Sequence, residues 1–245
     1  MKKILLFILL FTGYMFHYEK VTASEITLNF IDEPDTIDPQ LTTDTSATKL
    51  LELLSEGLTR EDENGNAVPG IAEKWDVSKD GLVWTFHLRE AKWENGSPVT
   101  ADDFKFAWLR ALDPKAGSEY AYMLYNIKGA EEYNQKNGNR ENIGIRVIDS
   151  KTLEVRLKHP VEYFSKLVSF GVYKPTSEKY FNGYKEKYGT EMILSNGPYK
   201  LVKWEHNDIL YLKKNDNYWN KNQIKISDIK IELVDDSSEA FEVFA

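Results

Sequence analysis

The sequence contains no cysteine, and that absence removes several chemistries at once. Disulfide bonds, thiol nucleophiles and thiolate zinc sites are excluded, as is the lipid anchor that bacterial lipoproteins carry on a cysteine just after their signal. Histidine is scarce: of His17, His87, His159 and His206, no two have the i, i+4 spacing of a zinc-binding helix. No Gly-rich phosphate loop and no Gly-x-Ser-x-Gly elbow occurs, so nucleotide and acyl-transfer chemistry lack candidate residues. A sustained basic stripe is missing too. The net charge is −8, and lysines alternate with acids even between Lys213 and Lys230, which argues against nucleic acid as a partner. Neither a cofactor nor a metal is implied.

What is present begins with an address. Lys2 and Lys3 precede an apolar run from Ile4 to Phe16, interrupted by Thr12, Gly13 and Tyr14 and shorter than the roughly 20 residues a membrane helix needs. Val21-Thr22-Ala23 then supplies the small residues that a signal peptidase reads, so residues 1–23 are expected to be a signal peptide cut after Ala23. Its removal takes Lys2, Lys3, Lys20 and Glu19 with it and moves the net charge from −8 to −10. The expected product is exported, monomeric and free of a cysteine-linked lipid, in the periplasm or on the extracellular face of the bacterial cytoplasmic membrane. Its length of 245 residues and hydrophobic content of 42% suit one or two globular domains.

Periodicity sketches the elements. Ile26 to Phe30 alternates as a strand and runs into the Pro- and Asp-rich turn Asp32–Pro39. A helix is predicted from about Ser46, with its leucines on one face until Gly57. Asn64-Gly65 marks a tight turn, and Val83 to Arg89 reads as a half-buried strand. Thr100 caps a second helix whose first turn carries Asp102 and Asp103, the favourable sign there. Glu119–Tyr133, Val161–Phe170 and Ser177–Tyr188 are further helical candidates, and Ile143–Ile148 with Thr152–Leu157 forms a hairpin. Beyond Asn196-Gly197-Pro198 come short alternating segments, Tyr199–Trp204, Ile209–Leu212 and Ile229–Val234. They suit a sheet that Ile26–Phe30 joins from a distance. Ser237-Ser238-Glu239 resembles a helix start, with only about two turns, at 3.6 residues each, before Ala245.

Carboxylate pairs stand at Asp102-Asp103, Glu131-Glu132 and Asp235-Asp236. A glycoside hydrolase uses two acids at a fixed separation, but helix-dipole complementarity and a solvated surface account for these pairs more simply. Tyr120, Tyr122 and Tyr125 form the most suggestive polar-aromatic patch; by spacing alone they are either core or the lining of a cleft.

Four tryptophans fall between Ala72 and Trp108, and that block carries no catalytic constellation. Its order, W-x(8)-WTFHLR, then KW-x-[ND]-G, PVTADDF and a further tryptophan, resembles the peptide-binding members of the extracellular solute-binding protein family 5, the receptors of oligopeptide, dipeptide and nickel ABC importers. The resemblance continues through Asp38-Pro39, Pro69-Gly70-Ile71-Ala72-Glu73, Asp113-Pro114, Ser195-Asn196-Gly197-Pro198-Tyr199 and Asn217-Tyr218-Trp219, essentially the whole chain after residue 23.

The resemblance implies a mixed α/β (α+β) fold: a periplasmic-binding-protein-like type II lobe with an inserted small α+β domain, truncated before the second lobe. Residues 24–57 and 161–245 are then segments of the large lobe, and residues 58–160 the accessory domain. The implied function is substrate binding without chemistry, with an extracellular peptide captured and delivered to the ABC importer's permease subunits. The implied ligand-contacting residues are Thr43, Asp44 and Thr45 after the Asp-Pro turn, Tyr120, and Asn196. Thr43 stands where some relatives carry glutamate. Because relatives run to about twice this length, a second lobe is expected beyond Ala245, and without its enclosure the chain is expected to lose affinity, tenfold for each loss of about 1.4 kcal/mol. A nickel chelate or signalling peptide as ligand, and a secreted carboxylate-pair glycoside hydrolase, are the alternative readings.

Overall fold

The computed structural model describes residues 24–234; the proposed signal peptide and the Ser237 helix start lie outside them. The chain opens with β1 (Glu25–Phe30), and after a long loop enters α1 (Thr45–Leu54). Asp44 caps α1, its Oδ1 accepting the Ala47 N–H at 2.6 Å, which satisfies one of the donors that a helix start leaves open. The helix stops three residues before Gly57, because Ser55 is already extended (φ −141°, ψ 142°). Gly57 serves a different need: a Cβ there would lie 2.9 Å from the Val168 carbonyl oxygen.

A small hairpin, β2 (Thr59–Glu61) with β3 (Ala67–Pro69), turns at Asn64-Gly65, where Gly65 has φ 75°. There follow β4 (Ala72–Val77), β5 (Val83–Leu88), α2 (Ala101–Ala111), α3 (Ala130–Asn134), β6 (Ile145–Asp149) and β7 (Thr152–Arg156). Four of these strands make an antiparallel sheet in the order β4-β5-β7-β6. The chain then runs through α4 (Phe164–Leu167) and α5 (Glu178–Tyr184) to β8 (Tyr199–Glu205), β9 (Ile209–Lys214) and β10 (Asp228–Leu233). The second sheet has the order β1-β10-β9-β8, with β1 parallel to β10 and the other pairs antiparallel. The first strand thus joins the last, as its alternation predicts.

Two apolar clusters hold this arrangement. One gathers Phe30, Ile37, Leu50, Leu51, Leu54, Leu210 and Ile231 between α1 and the β1-containing sheet. The other collects the tryptophan block together with Phe164, Val168 and Tyr173. Trp84 meets Phe164 edge-on at 5.4 Å, and Trp108 meets Tyr173 edge-on at 5.1 Å while its indole N–H donates to the Tyr173 carbonyl at 2.7 Å. The tryptophans are therefore anchors, Trp108 with its indole N–H satisfied and Trp84 with its own buried and unpartnered, and they fasten α2 and β5 to residues 164–173.

Two helical expectations are corrected. Glu119–Tyr133 divides into a 3-10 segment, Glu119–Asn126, and the short α3. The backbone between them is taken by strand-like pairing: the Lys128 N–H donates to the Arg156 carbonyl and the Lys158 N–H to that of Asn126, and Gly129 adopts φ 74°. Val161–Phe170 keeps only the four-residue α4, where the Thr59 hydroxyl crosses over to the Ser165 carbonyl at 2.6 Å.

Candidate functional site

The loop before α1 is fixed from below. Asp38 receives a bidentate pair from Arg110 at 2.7 and 2.5 Å, and the same guanidinium donates to the Gln40 side-chain amide oxygen, Oε1. Gln40 in turn donates to the Lys174 carbonyl at 2.9 Å and accepts from Thr176 at 2.7 Å, while the guanidinium sits 4.5 Å from the Phe181 ring centre. A buried charge pair is sustained by this kind of fork geometry, which engages both terminal nitrogens of Arg110 and leaves its buried Nε without a partner. Its effect is positional, since it fixes the start of the segment that presents Thr43, Asp44 and Thr45.

The far end of α1 is held as firmly. The Lys174 ammonium, 2% exposed, donates to the carbonyls of Leu51 and Ser55 at 3.0 Å each and to the Glu52 carboxylate at 2.7 Å. A cation among the last carbonyls of a helix opposes the macrodipole favourably. Burial pushes the Lys174 pKa down, and Glu52 counters that shift.

Asn196 closes the same turn. Its Oδ1 accepts from the Ser55 hydroxyl at 3.0 Å and the Glu56 N–H at 3.1 Å, and its Nδ2 donates to the Glu56 carbonyl at 2.9 Å. Glu56 itself is buried, its carboxylate accepting from the Tyr218 hydroxyl and, at 2.8 Å, from the Trp219 indole. Burial raises its pKa despite those donors and the nearby charges of Arg60 and Arg89. Arg89 stacks on the Trp219 ring at 3.5 Å, joining the end of β5 to this knot.

Between its two fixed ends, α1 exposes one face, on which Thr45, Thr48 and Glu52 fall at i, i+3 and i+7. Concavities lie along it. The first, about 510 Å³, is lined by Thr43, Asp44, Thr45 and Ser46 with Asp32, Glu33 and Asp35. Glu33 is not free there: it accepts from Trp204 at 2.6 Å, His206 at 2.7 Å and the Asn207 N–H at 2.9 Å. Burial works against its charge, but those donors outweigh burial and hold the carboxyl below its usual range. The second concavity, about 300 Å³, is lined by Pro39, Leu51, Tyr120, Tyr122, Met123 and Phe170. The third, about 640 Å³, includes Glu56, Arg60, Lys174, Tyr218 and Asn220 among its lining residues. Thr48, Glu52, Phe170 and Gly171 line both the second and the third, which makes those two one groove.

Of the residues expected at the site, Thr43, Asp44 and Thr45 stand at one end of the α1 face and Tyr120 stands over its middle. Asn196 is 1% exposed, and its amide is engaged by Ser55 and Glu56. Glu52, Phe170, Gly171 and Lys174 also shape the groove, and the sequence offers no local signal for them. Two of the carboxylate pairs have local partners. Asp103 accepts the Thr100 N–H at 2.8 Å and hydroxyl at 3.1 Å at the start of α2; burial raises its pKa to about 6, against those hydrogen bonds. Glu131 pairs with Lys158 at 2.9 Å, and Asp235-Asp236 lies outside the described residues. Among the described residues no three His, Asp or Glu side chains gather to hold a metal ion.

Known proteins share this architecture. The Dipeptide-binding protein DppE of Bacillus subtilis is 38% identical over 93% of this chain and 43% of its own length. The Periplasmic oligopeptide-binding protein OppA of Escherichia coli is 37% identical over 83% of this chain and 39% of its own length. Among solved structures, Listeria monocytogenes OppA bound to peptide superposes with a TM-score of 0.87 at 32% identity, covering 91% of this chain and 45% of that one. The oligopeptide ABC transporter substrate-binding domain of Bacillus anthracis gives 0.85 at 38% identity, over 89% and 43%. The present chain thus spans less than half the length of the relatives it matches. The family model described as bacterial extracellular solute-binding proteins, family 5 Middle, matches residues 66–244. The fold, the ordered motifs and these matches agree: the chain belongs to the bacterial extracellular solute-binding proteins of family 5.

Proposed function

We propose that this chain takes part in capturing extracellular peptides and handing them to the permease of an ABC importer, by binding alone and without chemistry on the ligand. One observation carries the reading: the continuous groove along the exposed face of α1, which is rigidly mounted and lined by aromatic, hydroxyl and charged groups together. An extended peptide suits such a surface, since it presents main-chain donors and acceptors along with side chains of every kind. Thr43, Asp44 and Thr45 meet the ligand at the amino end of α1. There the N–H groups of Thr45 and Ser46 have no acceptor within the helix, and Tyr120 meets the ligand beside them. Asn196 acts by holding the exit of α1 in place.

The two four-stranded sheets, β1-β10-β9-β8 and β4-β5-β7-β6, support a division into a large-lobe part, residues 24–57 with 161–245, and an accessory part, residues 58–160, with Phe164, Val168 and Tyr173 packing across that boundary into the accessory core. The Lys2-Lys3, Ile4–Phe16 and Val21-Thr22-Ala23 pattern supports export, and among the described residues no helix is long and apolar enough to cross a membrane. Isothermal titration of the secreted chain with a mixed pool of di- to octapeptides tests the proposal. Saturable heat that disappears when Tyr120 and Thr48 are both replaced by alanine supports it; equal heats before and after the replacement contradict it.

A further inference from the structure

The groove carries information about which peptides it selects. Tyr120 and Tyr122 form an edge-to-face pair with centroids 6.1 Å apart, and both remain exposed, at 36% and 59%. Phe170 is 43% exposed on the same concavity, above the fully buried Leu51 and Val172. Large aromatic surface left in contact with water and gathered round one hollow marks a place where something apolar settles. At about 300 Å³ the hollow is at the small end of ligand pockets, the scale of a single large side chain. Its charged lining residue is Glu52, whose carboxylate is 63% exposed and bonded to Lys174.

Gly171 adds a second observation. It lines both this hollow and the larger adjoining bay, and a Cβ at this position would meet only Leu51, at 4.0 Å. The backbone there makes no demand for glycine, yet any larger side chain would project into the passage between the two spaces.

Building on the peptide-capture reading, we infer that the hollow bounded by Tyr120, Tyr122 and Phe170 is a subsite for one aromatic or large aliphatic side chain of the peptide. By the same inference, Gly171 keeps open the passage through which the neighbouring residue reaches the larger bay. An apolar side chain exchanges water for three aromatic surfaces and an aliphatic floor. An acidic one loses its hydration against that floor and faces Glu52.

The test is a set of pentapeptides in an alanine background, with Phe, Leu, Lys or Asp moved through each position and affinities measured by titration calorimetry. One position is expected to favour Phe or Leu over Asp by tenfold or more. Tyr122→Ala should reduce that preference to a few-fold, and Gly171→Leu should abolish it while leaving the far-ultraviolet circular dichroism and thermal midpoint close to the parent's. If peptides bind with no such position, or if the preference survives Gly171→Leu, the subsite is overturned and peptide capture stands. If no peptide binds at all, both readings fall.

Discussion

Asn196 illustrates how a residue can matter to the proposed binding surface from beneath it. Its three hydrogen bonds fasten Ser55 and Glu56, so Asn196→Ala leaves buried partners unsatisfied and should cost about 2–3 kcal/mol of unfolding free energy. Urea denaturation measures that loss, and a variant as stable as the parent would show that the amide holds nothing. Glu94 sets a pH dependence. It clasps the Ser195–Asn217 region: its N–H donates to the Ser195 carbonyl at 2.8 Å, its carboxylate accepts the Ser195 N–H at 3.2 Å, and its carbonyl accepts from Asn217 at 2.8 Å. Burial raises the Glu94 carboxyl from 4.5 to about 6, against the Ser195 hydrogen bond and the Lys200 charge. Between those values the folded chain holds more protons than the unfolded one, so this group's contribution is full below pH 4.5 and falls away as pH rises through 6. The loss is about 2 kcal/mol. Glu94→Gln should therefore flatten the stability profile between pH 4.5 and 7 and be the more stable protein above it; an unchanged slope would assign the dependence elsewhere. At this scale, Thr43–Thr45, Tyr120 and Asn196 could be singled out in the sequence as candidates because they sit within motifs that resemble the family's. Lys174 and Phe170 were not, because they reach α1 only through tertiary packing across more than a hundred residues.

Local chemistry predicts the elements where it decides them alone. The strand at Val83–Leu88 alternates cleanly between half-buried and buried residues, and α1 and α2 begin where Asp44 and Thr100 with Asp103 provide for their first N–H groups. Where long-range pairing competes, the local signal fails. β4 buries only Ala72 and half-buries Trp75, with a bulge between Ala72 and Lys74, so it has no period to read. The Glu119–Tyr133 stretch is helical in composition but is broken where residues 126–128 pair with residues 156–158. Gly129 makes that break possible, since a Cβ there would lie 2.6 Å from the Asn142 carbonyl oxygen at φ 74°. Gly129→Ala should destabilise the protein by about 1–3 kcal/mol, from the left-handed conformation and the close approach together. A thermal midpoint equal to the parent's would refute that account.

Across the whole molecule, the sheet that starts at β1 is completed only by β10, some two hundred residues later, with every residue of β1 in parallel register from Glu25↔Asp228 to Phe30↔Leu233. α1 lies against that sheet through Leu50, Leu51 and Leu54, and its opposite face is left for the groove. The fold class was legible through the family resemblance, and the return of the chain because strand texture resumes after Asn196. The groove was not, because a concavity is a property of packed surfaces and leaves no periodic trace. The central claim is that the α1 face is where peptide sits. The most direct test is a two-dimensional ¹H–¹⁵N NMR titration of the isotope-labelled chain with the di- to octapeptide pool. The account predicts shifts concentrated at Thr43–Glu52, Tyr120–Met123 and Phe170–Lys174; perturbations confined to the β4-β5-β7-β6 sheet, or none at saturating peptide, would contradict it.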